Sequence, residues 1–501
     1  MKNKVAIIGA GIAGLSAGVY LQRQGFQTEI YEMNEAPGGQ CTAWKRGRFT
    51  FDGCIHWLVG IAPGDPMHTL WEELGALENT QFHTEPVYMK FYRGGQTLSV
   101  YEHLDELRKE MLRVSPEDKK EIERFYKAAK KASHIEILQP EQTGKKSFFQ
   151  KWRELTKTII PIATLYPWFS VTAKNYSLKY KNPLLQDMMR GLFTEETSML
   201  FNLILLSWMN RNSLGYPLGG SLEFIRRIEK KYIALGGKVN YSVGVKQADL
   251  DGGRIVSLAL ANGKTVEADH FVSSADAHFN LSKLLGGKFP EPDFEKAFHS
   301  FPMVQPILLI SLGLSQKIES FGSLSGIQIA FTEPVKFREN VIDRALVHSL
   351  DFDPSLSPKG KQVLSITVET YFSLWEKLYL SNPAIYKLEK ERLAREIISR
   401  LEKDFFPGLA GIVEKMDVAS PVTWTQYTGV YRGAYEGFQP SPTALQNSHL
   451  LKQKIDGIEN FYMAGQWLTP GGGLPAAALS GRSVAALISK SRVIAQTASS
   501  P

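Results

Sequence analysis

With 501 residues, 43% of them hydrophobic and 22% charged, the chain is too long for one simple core and has the composition of an ordinary globular protein, so two domains are expected. The two cysteines, Cys41 and Cys54, stand in neither C-x-x-C nor metal-ligand spacing, which argues against a disulfide framework or a redox dithiol and for core packing in a reducing cytoplasm. None of the ten histidines falls in H-E-x-x-H or comparable spacing, so no metal is expected.

Lys4 to Ile8 is a short apolar run ending at Gly9, Leu15 to Gln24 has helical spacing and stops at Gly25, and Gln27 to Tyr31 reads as a second strand. Lys2 and Lys4 before an apolar run mimic a signal peptide, but the spacing of Gly9, Gly11 and Gly14 is that of a functional turn. Ser115-Pro116-Glu117-Asp118 has the form of a helix start, with Ile122, Phe125, Tyr126 and Ala129 at helical spacing behind it.

The charge of +7 is uneven: from Lys145 to Lys181 eight basic residues stand against one acid, Glu154. Phe148, Phe149, Trp152, Ile159, Ile160, Leu165, Tyr166, Trp168 and Phe169 are interleaved with them. Such a mixture suits peripheral contact with an anionic membrane surface; the alternative is a solvated cationic face over core. No nucleic-acid motif accompanies the charge. The apolar run Ser198 to Trp208 is about half the length needed to cross a bilayer.

Further on, Tyr216-Pro217-Leu218-Gly219-Gly220 is a turn, and Ser221 is placed to cap a helix ending at Gly236-Gly237. Lys238 to Ala275 reads as a β-meander with turns at Asp251-Gly252-Gly253 and Asn262-Gly263. Leu364, Ile366 and Val368 alternate with polar residues in a half-buried strand, and Asn382-Pro383 opens a charged helix that stops near Pro407-Gly408.

The chemistry is concentrated in the glycines. Gly9-Ala10-Gly11-Ile12-Ala13-Gly14 fits G-x-G-x-x-G: Gly9 permits the tight turn, Gly11 the approach of a pyrophosphate, Gly14 close helix-strand packing. The helix N-terminus then stabilises phosphate charge. Eighteen residues past Gly14, Glu32 ends the second strand, placed to accept hydrogen bonds from ribose hydroxyls and to disfavour NADP. Two further features select FAD over NAD. Gly38-Gly39-Gln40 lets backbone approach a longer cofactor. Near the C-terminus, a strand ending at Gly465 precedes Gly471-Gly472-Gly473-Leu474 and a small-residue helix. That helix would offer N–H groups to the flavin's pyrimidine end. His56 is the candidate polar group near the ring, through hydrogen bonding or proton exchange; a structural histidine is the alternative. Phe193, Met199, Leu200, Phe201, Leu203 and Trp208 are candidates to line an apolar tunnel, or plain core.

The glycine fingerprint with Glu32 and Gly38-Gly39, together with Phe51-Asp52-Gly53-Cys54-Ile55-His56, Tyr216-Pro217-Leu218-Gly219-Gly220 and Met463-Ala464-Gly465 through Pro475, resembles the phytoene desaturase, carotene cis-trans isomerase and retinol saturase family. The resemblance implies an α/β fold: a discontinuous Rossmann-like FAD domain (1–60, 216–290, 455–501) with an inserted mixed α+β substrate and membrane-facing domain (61–215, 291–454). It also implies FAD-dependent oxidoreductase chemistry on carbon-carbon double bonds of a long apolar isoprenoid. Gln466-Trp467-Leu468 departs from the small residues usual in the bacterial desaturases and leans towards the isomerase and saturase branches. The competing functions are an amine-oxidase-like flavoenzyme and a non-catalytic lipid-binding escort protein. A cytoplasmic protein, peripheral on the inner face of the membrane, is expected.

Overall fold

A computed structural model describes residues 3–133, 165–287, 291–319, 321–323 and 325–498. The chain begins with β1 (Lys4–Ile8), α1 (Ile12–Arg23) and β2 (Gln27–Tyr31). The helix starts three residues earlier than the apolar spacing suggests, because Gly11 is its N-cap and Ile12, Ala13 and Gly14 form its first turn. β1 and β2 lie inside a five-stranded parallel sheet whose order is Lys238–Asn240, β2, β1, His270–Ser273, Phe461–Met463. Val5, Ala6 and Ile7 are fully buried, as befits a parallel strand covered on both faces. Three widely separated stretches of chain thus build one sheet.

The Lys238 to Ala275 region is less uniform than a single meander. Only Val245–Asp251, Arg254–Leu260 and Thr265–Glu267 form the antiparallel three-stranded sheet, while the flanking strands join the parallel one. Gly252 and Gly263 have φ of +53° and +83° at the two turns, conformations that glycine adopts without strain.

A second, seven-stranded sheet has the order Val413–Ala419, Ile307–Leu314, Gln362–Glu369, Asn340–Ser349, Ile327–Phe337, Val87–Arg93, Gln96–Tyr101. Its pairings are antiparallel except that between Ile327–Phe337 and Val87–Arg93. Gln362–Glu369 is a central strand, and Val363 and Ser365 are buried along with Leu364, Ile366 and Val368; a half-buried strand was expected from the alternation. Pro383–Asp404 packs across this sheet, capped by the Asn382 side chain, which accepts from the N–H groups of Ala384 and Ile385 at 3.1 Å. After Ser115, a short 3₁₀ turn at Pro116–Asp118 leads into the helix Lys119–Ala132, which buries Ile122, Phe125 and Ala129.

Of the basic segment, 145–164 lies outside the described residues. In the remainder, Leu165 and Trp168 are buried, whereas Tyr166, Lys174, Leu178, Lys179 and Lys181 are exposed. No described helix is long and apolar enough to cross a membrane; Ser198 to Trp208 becomes the helix Met199–Met209.

The last helix, Gly473–Ala498, lies along α1 at unusually close range. A Cβ on Gly481 would stand 2.3 Å from the Ala13 carbonyl oxygen, and the Ser16 hydroxyl donates to the Ala478 carbonyl at 2.7 Å. Gly481→Val should therefore lower unfolding stability by about 1–3 kcal/mol through overpacking, read as a lower denaturant midpoint. An unchanged midpoint would mean the two helices are free to move apart.

Candidate active site

The first loop is set by backbone contacts. Gly9 turns with φ +90° and its N–H donates to the Tyr31 carbonyl at 2.9 Å. A Cβ on Gly14 would meet the Gly9 carbonyl oxygen at 2.1 Å and the Ser274 hydroxyl at 2.7 Å, so only hydrogen fits there. Gly11 is different: its φ is −72° and a Cβ would find only the Gly38 carbonyl, 3.9 Å away. Nothing within the chain demands glycine at 11. Glu32 is 4% exposed; its Oε2 accepts from the Ala10 N–H at 2.7 Å and its Oε1 from the Asn34 N–H at 2.9 Å. Each carboxylate oxygen retains a lone pair for a hydroxyl donor.

The second loop abuts the first. Gly38 donates its N–H to the Ala10 carbonyl at 2.9 Å and bridges Gly11, and a Cβ at Gly39 would lie 3.7 Å from the Gly11 Cα. Gln40 accepts from the Gln466 side-chain amide at 2.8 Å. Past Phe461–Met463, Gly465 takes φ +133° and its N–H donates to the Ser480 hydroxyl at 2.8 Å. Gly471, Gly472 and Gly473 have φ of +84°, +31° and +75°, and the helix begins at Gly473.

These elements surround one cavity of about 1100 Å³. Gly11, Ile12 and Ala13, then Gly38, Gly39 and Gln40, and finally Gly465 and Gly471, Gly472, Gly473 and Leu474 contribute to its wall. Gly9, Ala10, Gly14 and Glu32 stand behind that wall and shape it. The N-termini of two helices, α1 and Gly473–Ala498, open on the same space, and neither has an acidic residue in its first turn. Their unpaired N–H groups and positive dipole ends suit a ligand anionic at two places.

Away from the glycines one stretch of the wall is apolar. Phe201, Leu205 and Trp208, at i, i+4 and i+7 of the helix Met199–Met209, face the cavity, as does Phe193. Met199 and Leu203, candidates for the tunnel or for plain core, lie on the opposite side and are fully buried in the helical core, and Leu200 packs against that core. The helix is apolar all round, so composition conceals which stripe faces the void.

Asp52 explains why the Phe51-Asp52-Gly53 and Tyr216 to Gly220 motifs travel together. Buried, it accepts from the Tyr216 hydroxyl at 2.9 Å, the Ser221 N–H at 2.8 Å, the Ser221 hydroxyl at 2.5 Å and the Cys54 N–H at 3.0 Å. Burial still pushes its carboxyl above the usual range. Ser221 is thus not the helix cap: Gly219 occupies that position for the helix Gly220–Ala234, and the Ser221 hydroxyl also accepts from the Ile55 N–H at 2.8 Å. Cys41 and Cys54, expected as core packing, face each other beyond the Ala43–Asp52 pair of a hairpin and both border the cavity. Burial, Cys54 and Asp52 push the Cys41 thiol up, which keeps it protonated and unreactive.

The same hairpin exit places His56 on the cavity wall, its ring centroid 4.1 Å from that of His348. Burial lowers its pKa to about 4, so the ring is neutral at physiological pH. Sequence reasoning missed Glu436, a cavity-lining acid whose buried Oε2 has no partner among the described residues, and Asp276, which accepts from the N–H groups of Tyr431 and His278. Neither carries a spacing signal; only the Gly433 and Gly437 around Glu436 hint at a tight local path. Among the described residues no group of three His, Cys, Asp or Glu side chains is arranged to hold a metal.

The sequence matches the family described as flavin containing amine oxidoreductase over residues 12–489. The chain belongs to that family. Its cofactor is FAD, and the glycine-lined cavity with two helix N-termini fits such a group. Among its relatives are the chloroplastic prolycopene isomerase of Arabidopsis thaliana, 26% identical over 95% of this chain and 80% of that one, and the lycopene-forming phytoene desaturase of Paracoccus sp. (strain N81106 / MBIC 01143), 24% identical over 94% of each. An oxidoreductase from Methanosarcina mazei superposes with a TM-score of 0.61 over 96% of this chain and 99% of that one at 15% identity. Cyclohexylamine oxidase from Brevibacterium oxydans IH-35A gives 0.59 over 98% and 100% at 16%. Within this family of flavoenzymes, the α/β fold is that expected from the glycine motifs.

The two glycines separate folding from cofactor binding. Gly11→Val should leave the apoprotein's melting temperature unchanged and abolish flavin retention, whereas Gly14→Val should reduce both. Flavin at full occupancy in Gly11→Val would refute the assignment of the first loop.

Proposed function

We propose that this flavoenzyme acts on carbon-carbon double bonds of a long apolar polyene, by isomerisation or desaturation. The observation that carries the reading is the single cavity running from the glycine loops to the apolar stripe Phe201, Leu205 and Trp208. Relatives named for carotenoid isomerisation and desaturation match along nearly the whole chain and support it. Along the stripe Phe201, Leu205 and Trp208 the cavity presents hydrocarbon surface. Burial of a hydrocarbon there contributes roughly 0.8 kcal/mol per CH₂, enough to bind a polyene without polar contacts.

In this proposal Gly11, Ile12 and Ala13 hold the pyrophosphate, Glu32 and Ala10 the ribose edge, and Gly38, Gly39 and Gln40 the stretch between. Gly465 and Gly471 to Leu474 sit against the flavin. FAD, when bound, supplies a centre that accepts or donates a hydride. His56, neutral, acts as a hydrogen-bonding group that orients the bound molecules. The segments 1–60, 216–290 and 455–501 form the cofactor domain, and 61–215 with 291–454 the substrate domain. The protein works from the cytoplasmic side as a peripheral membrane protein, entering the surface through the 145–181 region; exposed Tyr166 and Leu178 beside Lys174 and Lys179 support this.

An anaerobic assay with a poly-cis carotenoid, comparing oxidised and chemically reduced flavin, tests the reaction. Turnover with reduced flavin and no net reduction of product is expected for isomerisation; a polyene that neither reacts nor perturbs the flavin spectrum would sink the proposal. Co-sedimentation should show binding to vesicles rich in anionic lipid that weakens as salt rises. Equal binding to neutral vesicles would contradict the electrostatic part.

A further inference from the structure

We propose that Glu436 is the proton-transfer residue of this double-bond chemistry, giving its carboxyl proton to a carbon of the bound polyene and recovering a proton after rotation. The inference rests on the polyene reading above.

Glu436 is held where such a step needs it. A Cβ on Gly472 would come within 2.3 Å of the Glu436 carbonyl oxygen, so Glu436 lies directly against the glycine turn that opens the last helix. Its neighbours are pinned: the Gly437 carbonyl accepts from the Val304 N–H at 2.9 Å, and the Phe438 carbonyl from the Gly471 N–H at 2.8 Å. The side chain borders the same cavity as the apolar stripe, and its Oε2 is buried with no hydrogen-bond partner among the described residues.

An unpaired buried carboxyl oxygen costs stability, and native chains retain few of them. Among the other acids on this wall, Glu195 is paired with Arg190 and Arg344, Asp343 with Arg344, and Asp276 holds two backbone N–H groups; Glu369 is also pushed up by burial but has the Arg344 and Arg190 charges to offset it. The ionisable groups whose charge interacts with Glu436 are Tyr88 and Tyr435, both shifted upward by burial, and Glu369 acts on Tyr435 as well. Among the described residues no cation offsets the burial, which pushes the Glu436 carboxyl up to about 7. It is therefore a proton donor near neutral pH that can also act as base, the condition for reversible proton transfer. Neutral His56 keeps only its weakly acidic ring N–H and is too weak an acid to protonate a carbon at that pH.

The step balances without an external oxidant or reductant. The Glu436 O–H bond breaks and a C–H bond forms at one polyene carbon, using the π pair of one double bond. The positive charge left on the adjacent carbon spreads along the conjugated chain. Rotation about the former double bond follows, a proton returns from that carbon to the carboxylate, and the double bond re-forms in the other geometry.

Heavy water tests this directly. The FAD-loaded protein turning over a poly-cis carotenoid in deuterium oxide should place deuterium at a vinylic carbon of the product, and the rate should fall as pH rises through about 7. Glu436→Gln should keep its flavin and bind the same carotenoid with unchanged Kd, yet lose turnover by about 100-fold or more together with that pH limb; Glu436→Asp should recover part of both. If Glu436→Gln does not fold, deuterium in the wild-type product still decides. Turnover without deuterium, or a Glu436→Gln variant near wild-type rate, overturns the role of Glu436 alone. Failure of the wild-type holoprotein to bind any polyene overturns it together with the proposed function.

Discussion

The close approach of α1 to the C-terminal helix Gly473–Ala498 is the contact on which the rest of the molecule depends. Gly481 against Ala13 and the Ser16 to Ala478 hydrogen bond bring the two ends of a 501-residue chain together, and with them two helix N-termini that open on one cavity. Backbone N–H groups at a helix start lack internal partners, so aiming two such ends at the same space builds a receptor for an anionic, elongated cofactor from main chain alone. The parallel sheet supports this arrangement, because β1 and Phe461–Met463 flank the same strand, His270–Ser273.

Beyond that receptor, the stripe Phe201, Leu205 and Trp208 offers apolar surface to a hydrocarbon substrate, next to polar wall residues such as Arg190, Glu195 and Arg344. The Asp52 network fastens the loop bearing His56 to the helix Gly220–Ala234. The helix Met199–Met209 provides the apolar stripe, and the seven-stranded sheet a mixed polar and apolar wall. Into this wall the chain inserts Glu436, whose Oε2 has no hydrogen-bond partner among the described residues. Such a group is tolerated when its proton is needed, since burial tunes a carboxyl to neutral pH with no further device.

Much of the cofactor loop was legible because each glycine answers a separate steric demand. Gly14 must face the Gly9 carbonyl and Gly9 must turn with positive φ, and both demands leave a spacing in the sequence. The cavity wall was less legible. Met199 and Leu203 share the composition of Phe201 and Leu205, and only three-dimensional packing assigns one stripe to the core and the other to the void. Ser221 looked like a cap because it precedes a helical run, but buried Asp52 competes for its hydroxyl. Glu436 left no trace since its neighbours in space, Gly472 and Tyr88, are distant in sequence.

The most direct measurement of the central claim is an experimental structure of the holoprotein with a long linear polyene bound. The account predicts pyrophosphate density against the N–H groups of α1 at Gly11, the flavin against Gly471 to Gly473, and a polyene extending from the flavin past Leu205 and Trp208. A polyene bound elsewhere, or a flavin whose ring lies away from the Gly471 to Gly473 turn, would contradict it.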